Sequence, residues 1–505
     1  MKNIARATAA LAVAATLSAC ALTPPAKHVD AQAPQQWQAP LPHNGSQADL
    51  ANWWRRQSDT LLAQLIESAQ TVSPTVASAA SRIAQSRAER VAAGAALVPS
   101  LDGAASISRA NQQSLQPAGT TSQIALQTAW EIDVFGANRA TRDAAQARLD
   151  SAQAGWHDAR VSVAAEVANQ YYSLRACERL LAVAKEDADS RADTARLTGL
   201  TATAGFESPA NLALARASAA EGNNRYLTQR ASCDVSVKVL VALTAMPEAA
   251  LRQQLASGAM SGATGGVAGG SGATGAAGSA DSGVTAVDAV APTMAITALP
   301  ADTLNQRPDV FTAEREVTAA SAEVGNAQAQ RYPRLTLSGS VGIGNFRSGG
   351  ENLKTDTWTI GPLAVSVPIF DAGRRRANVD AAGARYDYAV ANYRATVRQA
   401  VSELEQALVN LDATGARAAD AQTAMDGYRV NFTAVEQRYK NGLASLFELE
   451  DARRTRLNAE QTVINLQRER SAAWVALYRA AGGGWNAPAD GAPAIASAKA
   501  EAQVK

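Results

Sequence analysis

The residues that could carry chemistry are few, and their spacing does not match a catalytic or metal-binding pattern. No CxxC pair, HExxH run or cluster of Cys and His residues occurs in the sequence, so no metal site is predicted. No Ser-His-Asp set or paired-carboxylate arrangement can be argued either. We therefore expect a protein that is not an enzyme. The cysteines and histidines are Cys20, Cys177, Cys233, His28, His43 and His157.

Cys20 closes a segment that has the pattern of an export signal. Lys2 and Arg6 supply a positive region, and residues 7–17 supply an apolar region too short to span a bilayer. The ending Leu17-Ser-Ala-Cys20 resembles a bacterial lipobox. This implies removal of the signal peptide, residues 1–19, and acylation of Cys20 with N-palmitoyl and S-diacylglycerol groups. The alanine after Cys20 implies the outer membrane of a Gram-negative bacterium; an ordinary cleavage site with an incidental cysteine is the alternative.

Cys177 and Cys233 each lie 28 residues from Gly205, on opposite sides of it. In an antiparallel helix pair that turns near Gly205, the two cysteines would be level with each other. Because the bacterial periplasm is oxidising, we predict a disulfide between them. Two buried thiols are the alternative.

The chain contains a duplicated unit that positions these residues. Residues 74–101 and 308–335 align at a constant offset of 234, with identities that include Pro74/Pro308 and Glu89/Glu323. Each unit has a short helix, two strands with alternating apolar residues, a long helix, a turn and a returning helix. The first repeat, 59–256, has strands at about 99–112 and 121–135 and long helices at about 136–198 and 208–245. The second repeat, 299–480, has strands at about 334–346 and 356–370 and long helices at about 372–440 and 446–480.

Three further segments lie outside the repeats. Residues 20–58 are rich in Pro, Gln and Ala and indicate an extended tether. Residues 257–298 are rich in Gly, Ala and Ser and indicate a flexible insertion, and the Ala/Pro-rich residues 481–505 indicate a disordered tail. The polar stretch at 347–355 indicates a loop between the last two strands.

The bulk composition limits the possible partners and the way in which the chain could meet a membrane. Lys and Arg total 47 against 46 Asp and Glu, so nothing favours nucleic acid as a partner. No stretch after the signal reaches 18 consecutive apolar residues, so any membrane crossing would have to use the strands. Four strands are too few to close a barrel, whereas three copies of the chain would supply twelve. A cyclic trimer would also leave no open strand edge.

Seven motifs occur in order along the chain: the Leu17–Cys20 lipobox, Trp53-Trp54, Trp130–Gly136, Leu299-Pro300, Gln306–Val310, Pro368–Arg374 and Tyr478–Trp485. Together they resemble those of the TolC-like outer-membrane factor family, in particular the acylated OprM/NodT-type efflux lipoproteins. The resemblance covers nearly all of the mature chain. It implies a mixed, mainly α-helical fold with membrane β-strands, in which a trimeric twelve-stranded β-barrel continues into a long periplasmic α-helical barrel. It also implies a periplasmic adaptor protein and an inner-membrane transporter as partners, besides outer-membrane lipid.

The same resemblance implies a gate at the turn that follows Gly442. Phe447 matches the family's apolar constriction, and Glu448 and Asp451 match its acidic rings. Three copies of a carboxylate around a narrow pore would hold cations and repel one another, so the closed state would respond to pH and salt. The alternative is a solvated first turn of a helix, in which acidic residues are favoured by the helix dipole. The corresponding positions of the first repeat are Asn211 and Leu214.

Two junctions connect predicted strands to long helices. Phe135 and Arg139 in the first repeat correspond to Phe370 and Arg374 in the second. The arginines could anchor the chain at the membrane interface, although a solvated basic patch explains them equally well.

The predicted function is a passive trimeric exit duct for small toxic compounds such as antimicrobials, in a tripartite, RND-type efflux system. A duct for type I protein secretion would use the same architecture. A structural coiled-coil lipoprotein is a third possibility, but it explains neither the four strands nor the duplication.

Overall fold

The computed structural model describes residues 23–31, 38–39, 59–111, 118–262, 304 and 306–485. These residues fall into two compact units. The sheet unit comprises Ala79–Gly155, Asp309–Val397 and the described residues before Gln32. The hairpin unit comprises the described parts of Ala33–Ser78, Trp156–Pro308 and Arg398–Lys505. Cys20 and Trp53-Trp54 lie outside the described residues.

The elements follow the duplicated order that the sequence predicts. The first repeat contains α1 (Thr60–Val72), α2 (Pro74–Ala95), β1 (Ser100–Ala110), β2 (Gly119–Ile132), α3 (Ala137–Thr203), α4 (Pro209–Thr244) and α5 (Glu248–Gly262). The second contains α6 (Pro308–Ala329), β3 (Arg334–Ser348), β4 (Glu351–Ser366), α7 (Arg374–Lys440) and α8 (Leu446–Ala480). Both α3 and α7 contain 67 residues, which at 1.5 Å per residue corresponds to about 100 Å.

The four strands form one antiparallel sheet in the order β1-β2-β3-β4. Side chains directly opposite each other share a face, and Leu126, Val341 and Trp358 lie opposite one another across β2, β3 and β4. The neighbouring row on the other face contains Gln127, Ser340 and Thr359, and Ser340 and Thr359 are hydrogen-bonded at 2.9 Å. The sheet therefore has one apolar and one polar face, and the apolar side chains are exposed in the isolated chain.

Residues 23–31 are bound to the sheet unit by their backbone. Ser321 Oγ donates to the Pro25 carbonyl at 2.6 Å, and Thr318 Oγ1 donates to the Lys27 carbonyl at 3.1 Å. Tyr386 on α7 donates its hydroxyl hydrogen to the Ala26 carbonyl at 2.9 Å. This part of the predicted tether is therefore a fixed strap rather than a free linker.

The hairpin unit buries the apolar residues that the sequence places on one face of α1. Leu61, Leu62, Leu65 and Ile66 are all buried. The Asp59 carboxylate caps the helix by accepting hydrogen bonds from the backbone N–H groups of Leu61 and Leu62.

Several predicted boundaries are wrong. The first long helix is predicted to end near Thr198 but continues to Thr203, and Gly205 then reverses the chain in a left-handed conformation. The loop predicted at 347–355 is a tight turn at Gly349-Gly350, since polar residues on both sides continue the strands. The strand predicted at 121–135 spans Gly119–Ile132, and that at 356–370 spans Glu351–Ser366.

The segments outside the repeats also need correction. Residues 257–262, assigned to the flexible insertion, are the last residues of α5, so the helical part of the first repeat extends beyond 256. Residues 481–485, assigned to the disordered tail, form a turn in which Trp485 is buried. The rest of the tail, and most of the insertion, lie outside the described residues.

Candidate functional site

The two helical hairpins turn in the same way. After α3 and after α7, a glycine adopts a left-handed conformation, Gly205 at φ 81° and Gly442 at φ 73°. The next residue donates its N–H back to the helix end, from Phe206 to Thr201 O at 2.9 Å and from Leu443 to Arg438 O at 2.7 Å. A serine three residues after each glycine then caps the returning helix. We call these two turns the hairpin tips.

The predicted gate residues lie on the first two turns of α8. Phe447 is 75% exposed, and the Asp451 carboxylate is exposed and paired with Arg454. Glu448 has a different environment, because its carboxylate accepts the Ser445 N–H at 3.0 Å while Ser445 Oγ accepts the Glu448 N–H at 3.2 Å. These two reciprocal hydrogen bonds form a capping box, in which an acidic residue in the first turn stabilises the start of the helix.

The buried face of α8 packs against the first hairpin and α7. Leu446, Leu449 and Ala452 form an apolar cluster with Ala215 of α4 and Phe432 of α7. Near this cluster, Thr198 of α3 and Tyr439 of α7 are hydrogen-bonded through their hydroxyl groups at 2.9 Å. Both hairpin tips therefore belong to one packed structure.

A buried charge network lies next to this cluster, and we call it the tip network. Its four charged members are Asp187 and Arg191 of α3 and Glu450 and Arg453 of α8. Arg191 Nε donates to both Asp187 carboxylate oxygens at 2.9 Å, and Arg191 Nη1 donates to Glu450 at 2.5 Å. Glu450 also accepts a hydrogen bond from Arg453. Arg225 of α4 also reaches this network, with its Nη2 4.0 Å from Asp187 Oδ2.

Hydroxyl groups of both helices of the first hairpin also accept hydrogen bonds from the tip network, although Arg453 Nε has no hydrogen-bond partner among the described residues. Arg453 Nη2 donates to Ser190 Oγ at 3.1 Å and to Thr194 Oγ1 at 3.0 Å, and Arg191 also donates to Ser218 of α4. The Arg453 side chain is 0% exposed. Burial lowers the pKa of the Arg453 guanidinium, and Glu450 opposes that shift.

Gly222 of α4 leaves the space that Arg191 fills. A Cβ at this position would lie 2.7 Å from Arg191 Cδ and 3.4 Å from Ala188 Cα. A methyl group would therefore overlap the arginine stem, and the close approach of α4 to α3 requires glycine here.

A second buried pair, Arg456 and Glu460, continues along α8. Arg456 Nε lies 3.9 Å from Glu460 Oε1, and the Arg456 guanidinium carbon lies 4.4 Å from the ring centroid of Phe432. Within the described part of the chain, neither Arg456 Nε nor Glu460 Oε1 has a hydrogen-bond partner. Burial raises the pKa of the Glu460 carboxyl, against the opposing charge of Arg456.

Cys177 and Cys233 face each other across the first hairpin, as their spacing predicts. Their Sγ atoms lie 2.10 Å apart and their Cα atoms 5.6 Å apart, which is disulfide geometry. The pair joins α3 to α4.

The junction residues lie between the strands and long helices of the sheet unit, but the two repeats use them differently. Phe135 stacks on Tyr332 with ring centroids 4.9 Å apart, whereas Phe370 is exposed. Arg139 pairs with Asp133 at 3.3 Å. In the second repeat the acid, Asp371, is bound at 2.9 Å by Arg375, the residue after Arg374.

The described residues give no support to metal chemistry. Within them, no three His, Cys, Asp or Glu side chains come together so that they could hold a metal ion. Among the described helices, none is both long enough and apolar enough to cross a membrane.

Comparison with known proteins decides the family. The sequence model of outer membrane efflux proteins matches residues 65–245 and 299–483, which are the two repeats. The chain belongs to the outer membrane efflux protein family.

Other members of this family match over most of their length. The solvent efflux pump outer membrane protein SrpC of Pseudomonas putida is 27% identical over 486 residues, which cover 93% of this chain and 96% of SrpC. The outer membrane protein OprJ of Pseudomonas aeruginosa is 26% identical, with 96% of this chain and 95% of OprJ covered.

Solved structures confirm the fold of this outer membrane efflux protein. The outer membrane channel CmeC of Campylobacter jejuni superposes with a TM-score of 0.78 at 24% identity, covering 96% of this chain and 98% of CmeC. The outer membrane protein VceC of Vibrio cholerae superposes with a TM-score of 0.70 at 25% identity, covering 86% and 99%.

Sequence reasoning located the exposed gate candidates but missed the tip network. Asp187 and Arg191 are four residues apart, and Glu450 and Arg453 are three apart, so each pair resembles an ordinary ion pair on a solvated helix. The one available signal was Gly222, a glycine inside an otherwise helical pattern, which often marks close packing.

Proposed function

We propose that three copies of this chain form a passive exit duct in the outer membrane, through which small toxic compounds such as antimicrobials leave the cell. Membership of the outer membrane efflux protein family makes the chain a component of an efflux system. The duct itself supplies no energy, so an inner-membrane transporter drives export, and a periplasmic adaptor protein joins the transporter to the duct.

The structure of the sheet is the main support for this proposal. It has one apolar and one polar face, and within the described chain β1 and β4 each pair along one edge only. An apolar face suits lipid, but unpaired strand edges are not tolerated there. If β4 of each copy pairs with β1 of the next, three copies close a twelve-stranded barrel with the polar face inside. The long hairpins then build the periplasmic α-helical wall.

The names of the relatives support small molecules as cargo. SrpC is described as part of a solvent efflux pump, and TtgI of Pseudomonas putida, also 27% identical, as part of a toluene efflux pump.

Cys20 provides the lipid anchor in this proposal. Its lipobox and the following alanine support acylation and sorting to the outer membrane, and the fixed strap that begins at Thr23 would hold the anchor against the sheet unit.

The gate lies at the tip of the second hairpin, and its exposed members are Phe447 and Asp451. Their exposure supports a role in the pore, where three copies of each would form a ring. Glu448 was proposed as part of the same gate, but its capping contacts support the alternative role at a helix start. We therefore assign Glu448 to orienting the first turn of α8.

A deletion strain tests this function. We expect the strain to become more sensitive to a panel of toxic compounds, and a copy on a plasmid to restore tolerance. Purification of the tagged protein from membranes should recover an adaptor protein and an inner-membrane transporter. Unchanged sensitivity to every compound, combined with loss of a secreted protein from the medium, would overturn efflux in favour of protein secretion.

A further inference from the structure

Three cationic side chains lie together at one end of the sheet, and we call them the cationic rim. They are Arg109 of β1, Arg347 of β3 and Lys354 of β4, and all three are exposed. This end of the sheet holds the turn at Gly349-Gly350, whereas α3 and α7 follow the strands at the opposite end. The cationic rim is therefore at the end of the sheet farthest from the long helices.

The register of the strands puts the cationic rim on the apolar face of the sheet. Arg109 and Arg347 lie opposite the same residue of β2, one on each side of it, and therefore share a face. Arg347 is six residues from Val341, and Lys354 is four residues from Trp358. Because even spacing along a strand keeps side chains on one face, all three cations lie on the face that contains Val341 and Trp358.

The three cations are close enough to act on one ligand. Lys354 is a diagonal neighbour of Arg347, at about 7–8 Å, which is within reach of long side chains. Arg109 is two strands away from Arg347, about 10 Å across the sheet. Among the described residues of the strands, Asp356 is the one acid on this face, and it lies two residues from Lys354. Positive charge therefore predominates at this end of the apolar face.

The same face is apolar over about the thickness of a bilayer core before the cationic rim begins. On β3 it presents Leu335, Leu337, Gly339, Val341 and Ile343. The eight steps from the first to the last of these, at about 3.4 Å each, correspond to about 27 Å, and the apolar band of a membrane barrel is about 25 Å tall. Arg347, four residues farther along the strand, therefore falls at the level of the lipid headgroups.

The position of the cationic rim identifies which lipid it would meet. In the proposed duct the long helices lie in the periplasm, so the opposite end of the sheet reaches the outer leaflet of the outer membrane. The lipid of that leaflet in a Gram-negative bacterium is a glycolipid that carries phosphate groups on its sugar headgroup. Arginine and lysine side chains are attracted to such anionic headgroups, and the arginine guanidinium can also donate two parallel hydrogen bonds to one phosphate.

We propose that Arg109, Arg347 and Lys354 bind the phosphate groups of an outer-leaflet glycolipid whose acyl chains lie on the apolar face beneath them. The inference rests on the proposed function as an outer-membrane duct. It assigns a specific lipid contact to three residues that neither line the lumen nor touch the hairpin tips.

The variants remove charge from the cationic rim while keeping long polar side chains. They are the single variants Arg109→Gln, Arg347→Gln and Lys354→Gln, and the triple variant that combines them. The matched control is Arg334→Gln, which removes another exposed arginine of β3. Arg334 lies at the opposite end of the strand, and its odd spacing from Arg347 puts it on the polar face.

The experiment titrates purified full-length trimers in detergent with lipid A and counts the bound lipid by native mass spectrometry. We expect each single variant to raise the lipid A concentration for half-occupancy about fivefold, and the triple variant about a hundredfold. Arg334→Gln should bind as the wild type does. Binding to the wild type should weaken as salt rises, because the cations are exposed.

Two further probes distinguish a lipid from a free anion. Lipid A from which both phosphates have been removed should bind the wild type as weakly as intact lipid A binds the triple variant. Inorganic phosphate at the concentration of the lipid should not displace it, since phosphate lacks acyl chains that contact the apolar face. Displacement by phosphate at that concentration would overturn a lipid as the ligand.

The outcomes also separate the lipid site from the duct. If wild-type trimers conduct in planar bilayers but the single variants bind lipid A as tightly as the wild type does, the lipid site is wrong and the duct stands. If the wild type forms no trimers and produces no current, the proposed function itself is wrong. Should the triple variant fail to assemble, the single variants decide the question by the same comparison.

Discussion

Loss of the bond between Cys177 and Cys233 should loosen the first hairpin selectively. The two cysteines are 56 residues apart in the sequence. In the chain-entropy description, a cross-link that closes a loop of this length stabilises the folded state by about 4 kcal/mol. Since each 1.4 kcal/mol corresponds to a factor of ten, reduction could raise the equilibrium constant for local opening by up to about 1,000-fold. Helical structure that persists in the opened hairpin would reduce this figure.

Hydrogen–deuterium exchange with peptide resolution measures this effect. We expect faster exchange in α3 and α4 for the reduced protein and for the double variant Cys177→Ser, Cys233→Ser. Peptides from α8 beyond the tip network should exchange as in the oxidised wild type. Ser232→Ala, which changes the exposed neighbour of Cys233, is the matched control and should leave exchange unchanged. Adding a reductant to the double variant should have no effect.

Two results would refute this reasoning. Peptide mapping under non-reducing conditions could recover both cysteines as free thiols, in which case no bond exists in the exported protein. Alternatively, a bonded wild type and the double variant could exchange at equal rates in α3 and α4, in which case the bond does not stabilise the hairpin.

Three further predictions concern the cap, a buried carboxyl and the sheet. Ser445→Ala removes half of the capping box and should cost about 1 kcal/mol at the start of α8, seen as faster exchange there; equal rates would contradict the capping role. Burial raises the pKa of the Glu460 carboxyl, so stability falls as the pH rises from the ordinary range of a glutamate through that pKa. Glu460→Gln removes this cost, and Arg456 keeps its hydrogen bond to Glu186 at 2.7 Å, so the variant should unfold at a higher temperature than the wild type at pH 8. This advantage should shrink as the pH falls towards the ordinary range of a glutamate, and an advantage independent of pH would exclude the carboxyl as its cause. Gly342→Val should yield no folded trimer on semi-denaturing gels, since a Cβ would lie 2.3 Å from the Ile124 carbonyl oxygen, whereas Gly344→Ala, with its nearest atom at 3.8 Å, should assemble normally.

The fold was predictable to the extent that its signals are periodic or repeated. Alternation at Leu126 and Trp358 predicted the strands, because a sheet with one apolar face needs period two. The turn at Gly349-Gly350 was missed, since the strands continue through polar residues that carry no such alternation. Likewise Thr198 suggested a helix end by residue type, whereas the helix continues until a left-handed glycine, Gly205, can reverse the chain.

In the candidate site, too, some residues could be placed from local sequence and others could not. The turn at Gly442 is recognisable in the sequence, so the place of Phe447 and Asp451 on the first turns of a helix could be predicted, whereas their role as a gate rests on the family resemblance. Arg191 and Glu450 were missed because they are 259 residues apart and meet only through packing of two hairpins. In the sequence both have the appearance of surface charges, and burial alone distinguishes them from Lys185 and Asp189.

The most direct test of the central claim is the conductance of the purified, acylated wild-type protein in planar lipid bilayers, with its oligomeric state measured on the same preparation. A trimeric exit duct predicts heat-modifiable trimers that produce discrete steps of ionic current. A monomer that stays in solution and produces no current would contradict the account.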